Sequence, residues 1–272
     1  MRSMVCWRIS HSALSAAVRI LPFLCLLLGV SFSACLAAEP VYRAEVVQRY
    51  PHDPAAFTQG LFFLNGLLYE GTGLYGESSL RQVRLEDGEV LKMVNLEPEF
   101  FGEGLAVLDD RIYQLTWREG VGFIYDLESL EKVGEFAYEG QGWGLTTDGI
   151  YLIMSDGSSV LRYLDPDSLE PVRWLPVRGE GGEVQLLNEL EYVDGEIWAN
   201  IWLSSVICRL DPATGRVLGW IDLRDLAALE LQENPGADVL NGIAFHGETG
   251  RIFVTGKLWS SIYQIRLLSS SE

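Results

Sequence analysis

One phrase returns five times along this chain, and it limits the available folds more than any other feature. It reads FTQGLFFLNGLLYEGTG from Phe57, FGEGLAVLDDRIYQLTW from Phe101, GWGLTTDGIYLIMSDG from Gly142, LNELEYVDGEIWANIW from Leu187 and LNGIAFHGETGRIFVTGKLW from Leu240. Aligned on Gly60, Gly104, Gly144, Glu189 and Gly242, the copies are 44, 40, 45 and 53 residues apart. Periods of about 40–45 residues belong to β-propellers, in which each repeat is a small antiparallel sheet that buries its faces only against its neighbours.

Within each copy a short apolar strand meets a turn (LNG, LDD, TDG, VDG, HGETG), then a second strand and a third such as SSLRQVRL or SSVICRLD. Asn-Gly and Asp-Gly pairs between apolar runs are hairpin signals, so each unit is predicted to be a meander. A fourth strand follows turns such as EDGEV and DPATGRV, except in the last copy, which ends at SSIYQIRLLSSSE. The strand VYRAEVVQRY, residues 41–50, precedes the first copy and is free to supply what the last one lacks, removing the open sheet edge. The expected fold class is therefore all-β: a five-bladed β-propeller forming one domain over residues 39–272, with the N-terminal strand closing the last blade. The one helix expected is DLRDLAALELQEN, residues 222–234, a surface excursion that accounts for the longest spacing.

Residues 1–38 read differently. Arg2, Arg8 and Arg19 are their only charges and precede the apolar run ILPFLCLLLGV, followed by small residues in SFSACLAA. That run is too short for the roughly 20 residues of a spanning helix, and the pattern is that of a signal peptide. Cleavage after Ala37 or Ala38 and a periplasmic or secreted location are expected. FSAC ending at Cys35 is a poor lipoprotein box, so lipid anchoring there is the less favoured reading. Loss of the leader changes the net charge from 20 − 38 = −18 to 17 − 38 = −21. Nucleic acid and anionic membrane surfaces are then poor partners, and a monomer is the default. Once Cys6, Cys25 and Cys35 are gone with the leader, Cys208 remains, in the apolar stretch SSVICRL, where it reads as a small core residue.

In a propeller the first strand of each unit surrounds a central channel, and the unusual residues of this chain collect at its start. Gln59, Glu103, Trp143, Asn188 and Asn241 occupy nearly equivalent positions, and Trp117, Trp202 and Lys257 occupy equivalent positions one strand later. A tryptophan can simply pack between blades. A carboxylate at the entrance to a narrow apolar channel must be paired, metal-bound or functional, so Glu103 is the harder residue to assign to packing alone. The three histidines are His11 in the leader, His52 in the turn PHDP and His246 in a hairpin turn, which leaves neither a zinc ligand set nor a Ser-His-Asp triad.

The phrases FTQGL, YEGTGLYG, FGEGL, YQLTW, GWGL, NELEY, WANIW, NGIA and TGKLW together resemble the plant-type glutaminyl-peptide cyclotransferase family, which has bacterial members; the resemblance runs from about Tyr42 to Leu267. It implies a five-bladed propeller that converts an N-terminal glutamine of a peptide or protein to pyroglutamate with loss of ammonia, without a metal or other cofactor. It places the family's acid on Glu103, its amide and lysine on Asn188 and Lys257, its indoles on Trp117, Trp143 and Trp202, and its FTQG pair on Phe57 and Gln59. On this reading Glu103 shuttles a proton from the α-amine to the departing ammonia. Asn188 and Lys257 bind the carboxamide oxygen or hold Glu103, the indoles wall a dry pocket, and Gln59 meets the substrate backbone. Two rival readings stay open. A metal-dependent lactonase would place a divalent cation on Glu103, Asn188 and Asn241. A non-catalytic interaction propeller would use exposed aromatics to dock a partner.

Overall fold

The alternation and turn chemistry of the repeats become regular antiparallel meanders in the computed structural model, which describes residues 38–268. All but the last residue of the predicted leader, and Cys35 with it, lie outside the described residues. After strand β1 (Val41–Pro51) come β2 (Thr58–Leu64), β3 (Leu67–Thr72), β4 (Ser79–Arg84) and β5 (Val90–Asn95), then β6 (Gly102–Leu108), β7 (Arg111–Thr116), β8 (Val121–Asp126) and β9 (Lys132–Ala137). The third set is β10 (Leu145–Thr147), β11 (Leu152–Met154), β12 (Val160–Leu164) and β13 (Pro171–Pro176), followed by a small hairpin of β14 (Arg178–Gly179) and β15 (Gly182–Glu183). The last strands are β16 (Leu187–Val193), β17 (Glu196–Ile201), β18 (Val206–Leu210) and β19 (Val217–Asp222), then β20 (Leu240–His246), β21 (Arg251–Gly256) and β22 (Ser261–Leu268). Between β19 and β20 lies the helix α1 (Arg224–Glu233), inside the segment predicted for it. It is docked by Glu230, which accepts from the Tyr263 hydroxyl at 2.6 Å and the Ser260 hydroxyl at 2.7 Å.

The architecture is a β-propeller. Strands β2, β6, β10, β16 and β20 neighbour one another in cyclic order, and five apolar clusters fill the spaces between successive strand sets. Burial falls from the axis outward: β6 is almost wholly buried, whereas β5 is almost wholly exposed. The hairpin turns have the chemistry their geometry demands, with positive φ at both Asn65–Gly66 and Asp194–Gly195, as a type I′ turn requires. Cys208 is fully buried opposite Ala199 and Trp220.

The glycines chosen for alignment mark the tightest packing. A Cβ on Gly60 would stand 2.4 Å from the Leu105 nitrogen, one on Gly104 2.4 Å from the Leu145 nitrogen, and one on Gly144 2.0 Å from the Asn188 carbonyl oxygen. The first strands therefore meet backbone to backbone around the axis. The fourth copy has Glu189 at this position, and its carboxylate accepts from the Ile243 amide at 2.9 Å.

Strand β1 runs antiparallel to β22, pairing Arg43 with Leu268 and Pro51 with Ser261. Its first residues also pair in parallel with β19, Val41 opposite Trp220 and Arg43 opposite Asp222, so β16–β19 and β20–β22 join through β1 into one eight-stranded sheet. The parallel pairing is a finding beyond the sequence reading. His52, just past β1, links the last strand set to β3 of the first. Its Nδ1 lies 2.7 Å from the Trp259 carbonyl and its Nε2 2.9 Å from the Glu70 carboxylate, which also accepts from Thr58 at 2.7 Å. Burial opposes the imidazolium, but with an acceptor facing each ring nitrogen its pKa is held above the ordinary histidine value.

Candidate active site

The residues that follow the second strands reach one mouth of the channel for a backbone reason. The Gly73 amide donates to the Phe57 carbonyl, Trp117 to Phe101, Trp202 to Leu186 and Lys257 to Val239, at 2.8 to 3.0 Å. In each case the chain leaving the second strand is tied to the chain entering the first. Trp117, Trp202 and Lys257 thus hold equivalent backbone positions, and all three line the same cavity. Gly73 stands where the first copy would carry a fourth such side chain, and a Cβ there would fall 2.3 Å from the Phe101 ring.

All eight predicted site residues, Phe57, Gln59, Glu103, Trp117, Trp143, Asn188, Trp202 and Lys257, line one cavity of about 290 Å³ at this mouth. Leu74, Phe101, Leu203 and Asp238 complete its wall and were not foreseen. Phe101 was within reach of the alignment, because it precedes Glu103 by two residues as Phe57 precedes Gln59. Asp238 arrives from the segment after α1, which has no counterpart in the other copies. Asn241, equivalent in sequence to Glu103, is not part of the wall.

Glu103 is 4% exposed, at the floor. One of its oxygens accepts from the Gln59 amide at 3.0 Å, and the other has no partner. The Gln59 oxygen in turn accepts from Asn241, whose amide also bonds the Thr58 carbonyl. The relay from Asn241 through Gln59 thus orients the carboxyl and leaves its second oxygen buried without a partner in a residue that lines the cavity. Burial pushes Glu103 well above the ordinary carboxylate range; nearby Lys257 opposes the rise and Glu119 adds to it. Burial lowers the Lys257 ammonium, against the pull of Glu103 and Asp238. Lys257 Nζ lies 4.8 Å from the centroid of the Phe57 ring and makes no salt bridge among the described residues. Asn188 Oδ1 is also buried without a partner.

The walls are aromatic. Trp143 meets Trp202 edge to face at 5.4 Å, Phe101 lies 5.5 Å from Trp117, and the Arg118 guanidinium covers the Trp117 ring at 3.6 Å. The arrangement therefore offers a buried acid with a free oxygen, a free amide oxygen and a free ammonium inside an apolar wall. These are the parts for moving protons and stabilising an oxyanion on a small amide held out of bulk water. Among the described residues no three His, Cys, Asp or Glu side chains form a group that could hold a metal ion.

Fold and site together define a β-propeller with an acid–base pocket at one mouth of its channel. The family model described as glutamine cyclotransferase matches residues 20–267. The chain is 48% identical over 234 residues to a glutaminyl-peptide cyclotransferase of Arabidopsis thaliana, covering 85% of this chain and 73% of that protein. The crystal structure of Myxococcus xanthus glutaminyl cyclase superposes with a TM-score of 0.78 at 41% identity, over 84% of this chain and 97% of that one. This chain belongs to the glutamine cyclotransferase family.

Proposed function

We propose that this chain is a glutaminyl-peptide cyclotransferase that converts the N-terminal glutamine of peptides to pyroglutamate and ammonia without a metal, with Glu103 as the proton shuttle. The observation that carries this reading is the buried, oriented Glu103 carboxyl, lining an aromatic-walled cavity with its second oxygen unpaired. Family membership supplies the reaction, and the geometry supports a division of roles within it.

The substrate brings its own nucleophile, five atoms from the carbon it attacks, so the enzyme has to hold the curled conformer and move protons. The α-ammonium, with an ordinary pKa of about 7.7–8.0, gives a proton to ionised Glu103. Burial raises the Glu103 pKa above the ordinary carboxylate value, which makes it a stronger base than an exposed carboxylate and favours the transfer. The neutral amine attacks the carboxamide carbon, a C–N bond forms, and negative charge gathers on the carboxamide oxygen. Lys257 is the free cationic donor in the wall and stabilises that oxygen. Glu103 returns its proton to the departing nitrogen as the old C–N bond breaks, then takes the proton shed by the ring nitrogen and releases it to solvent. Asn188 Oδ1, an acceptor without a donor, receives an N–H of the substrate. Gln59, with its amide engaged at both ends, acts on Glu103. Phe57, Trp117, Trp143 and Trp202 hold the side chain and exclude water, which disfavours hydrolysis.

We read the strand sets as five blades, with β1 completing the last one and tying it to the fourth. The register of β1 with β22 and the cyclic order of the first strands support this count. On the sequence pattern alone, the chain is exported by its leader. The lactonase alternative requires Asn241 to join Glu103 and Asn188 at a cation, but Asn241 is outside the wall of the cavity that those two line. A surface used only for docking has no use for a buried acid with an unpaired oxygen.

The pH dependence of kcat/KM on a Gln-initiated dipeptide, measured with and without EDTA, tests the assignment. Glu103 must ionise to accept the substrate proton, so activity falls as pH drops through its folded pKa. That acid limb is expected well above the ordinary carboxylate value of 4.5, because burial raises it. Rates are expected to be unchanged by EDTA. An acid limb near 4.5 would contradict the role of burial, and loss of activity to EDTA would contradict the metal-free mechanism.

A further inference from the structure

Trp117 follows the second strand of its sheet and Trp143 precedes the first strand of the next, so separate sheets carry these two walls of the cavity. A single atom joins them. The side-chain oxygen of Gln141 accepts the indole N–H of Trp117 at 2.7 Å and that of Trp143 at 3.0 Å. Indole nitrogens only donate, so the amide is oriented with its oxygen between the rings and its NH2 turned away. Gln141 itself is exposed, and its main chain is anchored. Its carbonyl accepts from Arg162 at 3.1 Å, and a second guanidinium nitrogen of Arg162 reaches the Glu139 carbonyl at 2.7 Å. Arg162 is itself paired with Asp156 at 3.4 Å.

We propose that Gln141 is a positioning residue, which fixes the distance and angle between Trp117 and Trp143 and so shapes the space in which the N-terminal glutamine curls. At an exposed position water could satisfy either indole, so the shared amide oxygen is not needed to pair the N–H groups. What it adds is a common reference point for two rings otherwise packed against separate neighbours, Trp117 against Phe101 and Arg118 and Trp143 against Trp202. Through Trp143 the constraint reaches Trp202, and through Trp117 it reaches Phe101, the nearest aromatic neighbours of the pair. Gln141 acts on the substrate only through the indoles.

The inference rests on the cyclotransferase reading for its substrate, and its geometry stands apart from that reading. The test compares the wild-type chain with Gln141→Leu, which removes the acceptor, and Gln141→Glu, which keeps one; Gln141→Ala replaces the leucine variant if that does not yield folded protein. Kinetics on a Gln-initiated dipeptide, near-ultraviolet circular dichroism and Tm are measured for each. The leucine variant is expected to lose about tenfold in kcat/KM with its Tm and the acid limb of its pH profile unchanged, the scale set by a small misplacement of a positioned substrate. The glutamate variant is expected to recover to within about threefold of wild type, because the acceptor is restored. A leucine variant within twofold of wild type, or a glutamate variant as impaired as the leucine one, overturns the proposal. If the wild type itself releases no ammonia, the cyclotransferase reading fails and circular dichroism decides the rest. Indole bands altered by leucine and restored by glutamate uphold the positioning role, and bands unchanged in both overturn it.

Discussion

Glu103→Gln is expected to fold like the wild type and to lose at least about 10²-fold in kcat, the lower end for loss of general acid–base assistance. The substitution is close to isosteric and keeps an oxygen for the Gln59 amide that now donates to Glu103 at 3.0 Å. It removes a carboxyl that burial already disfavours in its charged form, so it relieves a desolvation cost, and Asp238 still offsets the Lys257 ammonium. The proton route is what disappears: an amide can neither take the ammonium proton nor return one to the departing nitrogen. Steady-state kcat beside thermal unfolding of the same preparation checks this. A near-normal kcat in folded protein would remove Glu103 from the chemistry, whereas a large loss with an unchanged Tm is the expected result.

The second large effect concerns stability. Gly144→Ala is expected to destabilise the chain by at least about 3 kcal/mol, the upper part of the range for overpacking, and to leave little soluble protein. The added carbon would stand 2.0 Å from the Asn188 carbonyl oxygen and 2.8 Å from the carbonyl carbon, and neither can move without shifting β16, on which Asn188 lies. Gly181→Ala is the control, because a Cβ there meets nothing within 4 Å. Urea unfolding of both variants decides the matter: equal midpoints would mean that the first strands are not in backbone contact around the axis.

Much of this is legible in the sequence because the repeat converts spacing along the chain into angular position. Residues aligned with Gln59, or one strand later, gather at the same mouth, so the repeat alone groups Glu103, Asn188, Lys257 and the three indoles. Phe101 is reachable by the same logic, through the residue two before each aligned position. Leu203 is reachable too, since it follows Trp202 as Leu74 follows Gly73, both with left-handed backbone, whereas Asp238 is not legible in this way because it comes from a segment without counterparts. The parallel pairing of β1 with β19 is hidden for a different reason. It involves a short edge of a strand already assigned to β22, and parallel contact of so few residues leaves no periodic signature. The engagement of the Gln59 amide by Glu103 and Asn241 is a detail of rotamer rather than of pattern.

The central claim is the reaction itself, and the most direct test is to follow ammonia and pyroglutamate together when the purified chain, freed of residues 1–38, acts on a glutamine-initiated dipeptide. One ammonia per pyroglutamate formed is expected, at a rate far above spontaneous cyclisation and unaffected by EDTA. Ammonia and pyroglutamate at only the spontaneous rate, or ammonia accompanied by glutamate instead of pyroglutamate, would contradict it.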